Sequence, residues 1–180
     1  MRHTVKYLIK RYCFYLGGDQ PTVTWTERFR CSCGAFLGLM LVLTIAKYIG
    51  ESSGIDEWLT ASLGASALLV FALPGSPMAQ PWAVIAGNTL SALVGITAAK
   101  LIREPLLAMP IAAALSILGM FILRCLHPPA AAVALITVLG HVLHYRYALF
   151  PVMIDSILLV LAGAIYSNMT GKKYPNLPVR

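Results

Sequence analysis

Charge is what this chain has least of. Charged residues fill 12% of its 180 positions against 58% hydrophobic ones, and the mean hydropathy is +0.75. A soluble domain averages roughly 25% charged and about 45–50% apolar residues, so the composition is that of an integral membrane protein. Acids are scarcest, with seven Asp and Glu against fourteen Lys and Arg. The net +7 is no nucleic-acid signature, because six of the cations fall in residues 1–30 and three in the last nine. That is the flank pattern of cytoplasmic ends under the positive-inside tendency. The four cysteines, Cys13, Cys31, Cys33 and Cys125, have no framework spacing. Cys31-Ser32-Cys33 is too little for a metal site, so free thiols are expected. His141 and His144 have no acid beside them at ligand spacing. No nucleophile–base pair and no phosphate loop is present, so no enzyme activity, metal or cofactor is expected.

What the chain does have is long apolar runs. They cover Cys33 to Ile49, Trp82 to Ile102, Leu106 to Cys125 and Tyr147 to Met169. Two further runs, Trp58 to Leu73 and Ala130 to Gly140, fall short of the roughly 20 residues that cross a bilayer untilted. Both adjoin prolines: Pro74, Pro77 and Pro81 follow the first, and Pro128-Pro129 precede the second. The expected fold is all-α: a helical membrane bundle of four long transmembrane helices and two short Pro-broken segments, re-entrant or half-length. A basic cytoplasmic or interfacial segment (1–30) precedes the transmembrane domain (31–170), and a cytoplasmic tail (171–180) follows. Residues 1–16 lack a continuous apolar core and a small-residue cleavage site, which argues against a signal peptide.

The order long, short, long, then long, short, long reads as two halves. Short, Pro-interrupted segments at matching places point to a transporter site. With six crossings, Lys100 and Arg103 lie outside. With two re-entrant segments and four crossings they lie inside, as the positive-inside tendency favours. Either way both termini are cytoplasmic, and the expected location is a bacterial inner membrane. Gly87, Ser91 and Gly95 recur every fourth residue and form a smooth stripe for another helix. Such stripes suit packing within the bundle or a homo-oligomer interface.

Several motifs, in order and spacing, carry a resemblance. They are Gly34-Ala35-Phe36-Leu37-Gly38, the run Leu63 to Phe71, Pro74 through Gln80-Pro81 to Gly87, Leu126-His127-Pro128-Pro129-Ala130, and Tyr174-Pro175. Over residues 21–176 the chain resembles the HPP family of integral membrane proteins. Members in plastids and cyanobacteria are described as nitrite transporters. The resemblance therefore implies small-anion transport, with nitrite the leading substrate. Asn88 stands where the family often has histidine, and Ala131 where glycine is usual.

The residues suggest how an anion would be held. Helix N-termini offer unpaired N–H groups and a favourable dipole. Helices starting at Ala130, after Pro128-Pro129, and at Trp82, after Pro81, would form an anion site if aimed at one cavity. Arg124 either attracts the anion or snorkels at the interface. His127 either donates to the anion or carries a proton, or else its ring holds the break by bonding a freed carbonyl. Ser66, Ser76, Gln80 and Asn88 are the candidate neutral donors. Asp155, the one acid deep in an apolar run, is a candidate proton relay or partner for Arg124. A channel, a metal-dependent membrane enzyme and a structural membrane protein are the alternatives. The partners expected are the anion and the lipid bilayer, with no nucleic acid.

Overall fold

The computed structural model of the chain describes residues 23–49 and 56–176. Residues 1–22 of the basic segment expected over 1–30, residues 50–55 and the last four residues lie outside these. Six α-helices follow in order: α1 Trp25–Ile49, α2 Asp56–Ala72, α3 Pro81–Leu101, α4 Pro105–Ile122, α5 Pro128–Leu139 and α6 Ile154–Met169. A 3₁₀ turn, Pro77–Ala79, precedes α3, and a π-type turn, Ala148–Met153, precedes α6. No strand occurs among the described residues. Four stretches are long and apolar enough to cross a membrane: Trp25–Tyr48, Pro81–Leu101, Pro105–Ile122 and Ala148–Met169. Two apolar helices, Ser62–Ala72 and Pro128–Leu139, are shorter. The protein is an all-α membrane protein with the expected four long and two short elements.

The helix ends follow local chemistry. α1 begins eight residues before the apolar run, because the Thr24 hydroxyl accepts from the Glu27 N–H at 3.3 Å in a Thr-x-x-Glu capping pattern. Arg30 then pairs with Glu27 at 2.7 Å, so the charged first turn stays helical. Pro81, Pro105 and Pro128 each open a helix, where the missing N–H has no partner to lose. Three helices end in one hydrogen-bond pattern. Cys125 N donates to Met120 O, Val142 N to Thr137 O and Lys172 N to Ser167 O, each at 2.8–3.0 Å. This is the Schellman closure, whose turning residue adopts positive φ and is usually glycine. Gly171 fills that place after α6 at φ 77, but Arg124 (φ 52) and His141 (φ 48) fill it after α4 and α5.

Contacts between elements set the direction of each pass. Arg30 donates to Phe71 O at 3.2 Å, and Tyr166 Oη donates to Arg30 O at 2.8 Å. Trp82 Nε1 donates to Leu123 O at 3.1 Å. The start of α1, the end of α2, the start of α3, the end of α4 and the end of α6 therefore share one end of the bundle. At the other end the Lys100 ammonium lies 3.9 Å from the Tyr145 ring centroid. Successive helices thus alternate in direction, α5 from a start inside the bundle. Lys100 and Arg103 sit opposite Arg28 and Arg30, which is the arrangement of the six-crossing topology and not of the four-crossing one.

The small-residue stripe on α3 decides how close α5 can come. A Cβ on Gly95 would collide with Thr137 Oγ1 and lie 2.6 Å from Ala134 O. One on Gly87 would lie 2.9 Å from both Cys125 O and the His127 Cβ. Backbone approach of this kind is the use of such stripes in membrane helices. Because α5 begins level with Gly87, it starts roughly 9 Å, six residues at ~1.5 Å, below the start of α3. Ala92, Ile96, Val133 and Val152 pack as one apolar cluster on this side, and Val42, Ala67, Phe71, Leu159 and Tyr174 as another.

Candidate functional site at the break before α5

The His-Pro-Pro break sits inside the bundle with its polar groups matched by protein. His127 is fully buried and extended, at φ −135 and ψ 102, as the residue that precedes α5. Its Nδ1 lies 2.8 Å from Met78 O, and its Nε2 lies 2.8 Å from Ser66 Oγ. A carbonyl oxygen only accepts, so Nδ1 carries the hydrogen. Nε2 of the neutral ring then accepts from the Ser66 hydroxyl. This tautomer is assigned from the network. One side chain thereby ties α2, the 3₁₀ turn and the start of α5 together. Ser62, one turn before Ser66, donates to Pro129 O at 3.1 Å and adds a second tie.

The carbonyls of the Pro-rich loop between α2 and α3 are taken up in turn. Gln80 Nε2 donates to Pro74 O and Ser76 O, both at 2.9 Å. Met78 O receives His127, and Ala79 O receives the Tyr174 hydroxyl at 2.8 Å. Gln80 Oε1 accepts from Asn176 N at 2.9 Å, so the tail is stitched to the same loop. Ser76 Oγ accepts from Met78 N at 3.3 Å and caps the 3₁₀ turn. Ser76 and Gln80 are therefore engaged in holding the loop.

The first turn of α5 is not the array of N–H donors expected from its sequence. Pro128 and Pro129 have no N–H, and Ala130 N donates back to His127 O at 2.9 Å. What it retains is the dipole, placed inside the bundle. The start of α3 lies nearer the bundle end, with Trp82 61% exposed, so the two helix starts stand at different depths. Arg124 is exposed at the end of α4 and turned out by its positive φ. Asp155 is buried at 4% exposure, level with the middle of α3. The two therefore occupy different levels. Nor is Asp155 reached by an unbroken helix from Tyr147, because Phe150 is extended (φ −138, ψ 117) before Pro151. It lies in the first turn of α6, where the dipole favours a carboxylate.

Beside the break the α3 interior is polar. Asn88 Nδ2 donates to Ser156 Oγ at 3.0 Å, and Ser156 Oγ donates to Val152 O at 2.8 Å. Asn88 Oδ1, Ser91 Oγ and Ser116 Oγ are buried without a protein partner. Ser91 falls between Gly87 and Gly95 on the face toward α5. Ser116 falls between Ala112 and Met120, which pack against Ala134 and Ala130 of α5. Residue type alone did not mark Ser91 and Ser116 as site residues; both read as small packing positions. Their signal is burial without a partner, which only the packed bundle reveals. No group of three His, Cys, Asp or Glu able to hold a metal occurs among the described residues.

The fold and this site define a helical membrane protein whose interior is built around two proline-broken segments. The chain belongs to the HPP family: the description "HPP, transmembrane region" matches residues 20–175. It is also similar to two transmembrane proteins of Dictyostelium discoideum. One is 33% identical over 183 residues, covering 94% of this chain and 57% of the relative. The other is 35% identical over 184 residues, covering 94% of this chain and 63% of the relative. The chain thus spans about six tenths of the length of the curated relatives it matches. These relatives come from a eukaryote and do not single out a bacterial inner membrane. No solved structure matches the chain.

Proposed function

We propose that this protein is a membrane transporter of a small inorganic anion, with nitrite the first candidate. The observation that carries the reading is three of the buried polar atoms without protein partners, those beside the break: Asn88 Oδ1, Ser91 Oγ and Ser116 Oγ. An unsatisfied polar group in hydrocarbon costs several kcal/mol, about the same as a serious packing defect. Such groups persist in membrane proteins where they meet water or a solute. The two hydroxyls are neutral donors. Neutral donors hold an anion weakly enough to let it leave, and the α5 dipole adds positive potential from a start about one turn away along α3. Nitrite itself rests on the family resemblance. Asp155 is the buried acid on the same level, and it favours a proton-linked carrier over a channel.

Both termini are assigned to the cytoplasm. Arg28, Arg30, Arg124, Lys172 and Lys173 crowd one end of the bundle, and that end faces the cytoplasm under the positive-inside tendency. No catalytic step is assigned to the chain.

The test is uptake into proteoliposomes of nitrite, nitrate, formate and chloride, with and without a proton gradient. Nitrite uptake that needs the protein, rises with the gradient and falls in a Ser91→Ala/Ser116→Ala variant is expected. Wild-type vesicles no more permeable to any of these anions than empty ones would remove the proposal.

A further inference from the structure

The end of the bundle away from the Pro-rich loop carries cations with no part in the proposed path. Lys100 and Arg103 close α3, and His141, His144 and Arg146 lie in the loop after α5. The acid at this end within residues 97–148 is Glu104, whose carboxylate accepts from Leu106 N at 3.4 Å and so is turned toward the first turn of α4. Between α3, α5 and their loops lies a cavity of about 180 Å³. Arg103 and His141 are its polar lining, and Ala99, Ile102, Val138 and Leu143 are its apolar wall. The wall continues through Pro105 onto Leu106 and Leu107, which are 75% and 57% exposed on α4. The site is thus half basic and half lipid-facing, at the level where a membrane helix ends.

Two observations show that its polar rim is held in place. Lys100 stacks on Tyr145, and the Tyr145 hydroxyl lies 3.2 Å from Thr97 Oγ1, which draws the loop onto α3. His141 sits at φ 48, where a side chain costs about 1–2 kcal/mol over glycine. After α6 the same turn is made by Gly171. Arg124 makes the same turn after α4 at φ 52; what sets His141 apart is its place on the wall of a cavity beside an arginine.

We propose that this cavity binds the phosphate of an anionic phospholipid headgroup. Arg103 and His141 donate to the phosphate oxygens, and the acyl chains lie on the apolar wall and along Leu106 and Leu107. Arginine suits phosphate by its planar fork of donors.

The experiment is native mass spectrometry of the detergent-purified chain with phosphatidylglycerol or phosphatidylcholine. It compares wild type, Arg103→Gln/His141→Gly, and Arg28→Gln at the opposite end. Glycine takes the positive φ of residue 141 without strain, so the double variant keeps the fold, which its melting temperature checks. Loss of the charge-assisted bonds is expected to weaken phosphatidylglycerol binding about tenfold or more, with phosphatidylcholine and Arg28→Gln unaffected. Equal phosphatidylglycerol binding by wild type and double variant overturns the proposal. So does a wild type that prefers neither lipid. Displacement of phosphatidylglycerol by equimolar glycerol phosphate would overturn the lipid assignment in favour of a soluble phosphate ligand.

Discussion

Replacing His127 by alanine tests whether the ring holds the break. The substitution removes both ring bonds, to Met78 O and to Ser66 Oγ, each 2.8 Å long. The serine hydroxyl can turn to a backbone carbonyl one turn back in α2. The Met78 carbonyl has no such choice, and leaving it unpaired costs about 1–3 kcal/mol. The missing ring also leaves a cavity beside Gly87, because large-to-small changes in a packed core cost about 2–5 kcal/mol. Since these contributions overlap, a total of roughly 3–5 kcal/mol is expected. Ser66→Ala removes one bond and little volume, so about 1–2 kcal/mol is expected. Side-chain hydrogen bonds in membranes average about 0.6 kcal/mol by double-mutant cycles, so the His127–Ser66 coupling should fall near 0.6–1.5 kcal/mol. The assay is reversible unfolding in mixed micelles of wild type, both single variants and the double variant. A His127→Ala protein as stable as wild type, or a coupling of zero, would refute the structural role. Nitrogen NMR of labelled histidine gives an independent check: the neutral ring should carry its hydrogen on Nδ1.

Other outcomes follow from the same contacts. Gly87→Ala should destabilise by about 1–3 kcal/mol, as overpacking does, because its Cβ meets Cys125 O and His127. Gly64→Ala meets nothing within 4 Å and should be neutral or stabilising by up to about 1 kcal/mol; equal effects at both positions would contradict the packing. Burial pushes the Tyr174 phenol up from its ordinary value. Its contribution is therefore fully present below about pH 10 and lost as pH rises through the folded value. Tyr174→Phe should lower stability near neutrality by about 1 kcal/mol, through the bond to Ala79 O, and flatten the alkaline loss seen in pH-dependent melting. Cysteines placed at Lys100 and Arg124 should react with an impermeant thiol reagent from opposite sides of the membrane. Labelling from one side would reject the six-pass arrangement.

Composition and punctuation alone determined the class and the element count. An apolar chain with four long runs and two short ones beside prolines has few other ways to satisfy its backbone in a bilayer. The Gly87, Ser91 and Gly95 spacing likewise announced a close helix contact before any partner was known. Which helix fills that contact was not legible, because it depends on α5 starting deep in the bundle. Hydropathy marks only Cys33 to Ile49 of α1, because it ignores the Thr24 cap and the Arg30–Glu27 pair that carry the helix back to Trp25. At the site, residue type left Arg124, Gln80 and Ser76 as candidates to face a solute. Their placement depended on competition for freed carbonyls and on a positive φ, and both arise only when the loops meet. The donors expected at the start of α5 are likewise absent, two replaced by proline and one bonded to His127 O. Ser91 and Ser116 show the converse. A serine in an apolar helix is packing material or a solute contact according to whether anything nearby accepts its hydrogen, and that is decided by neighbours from other helices.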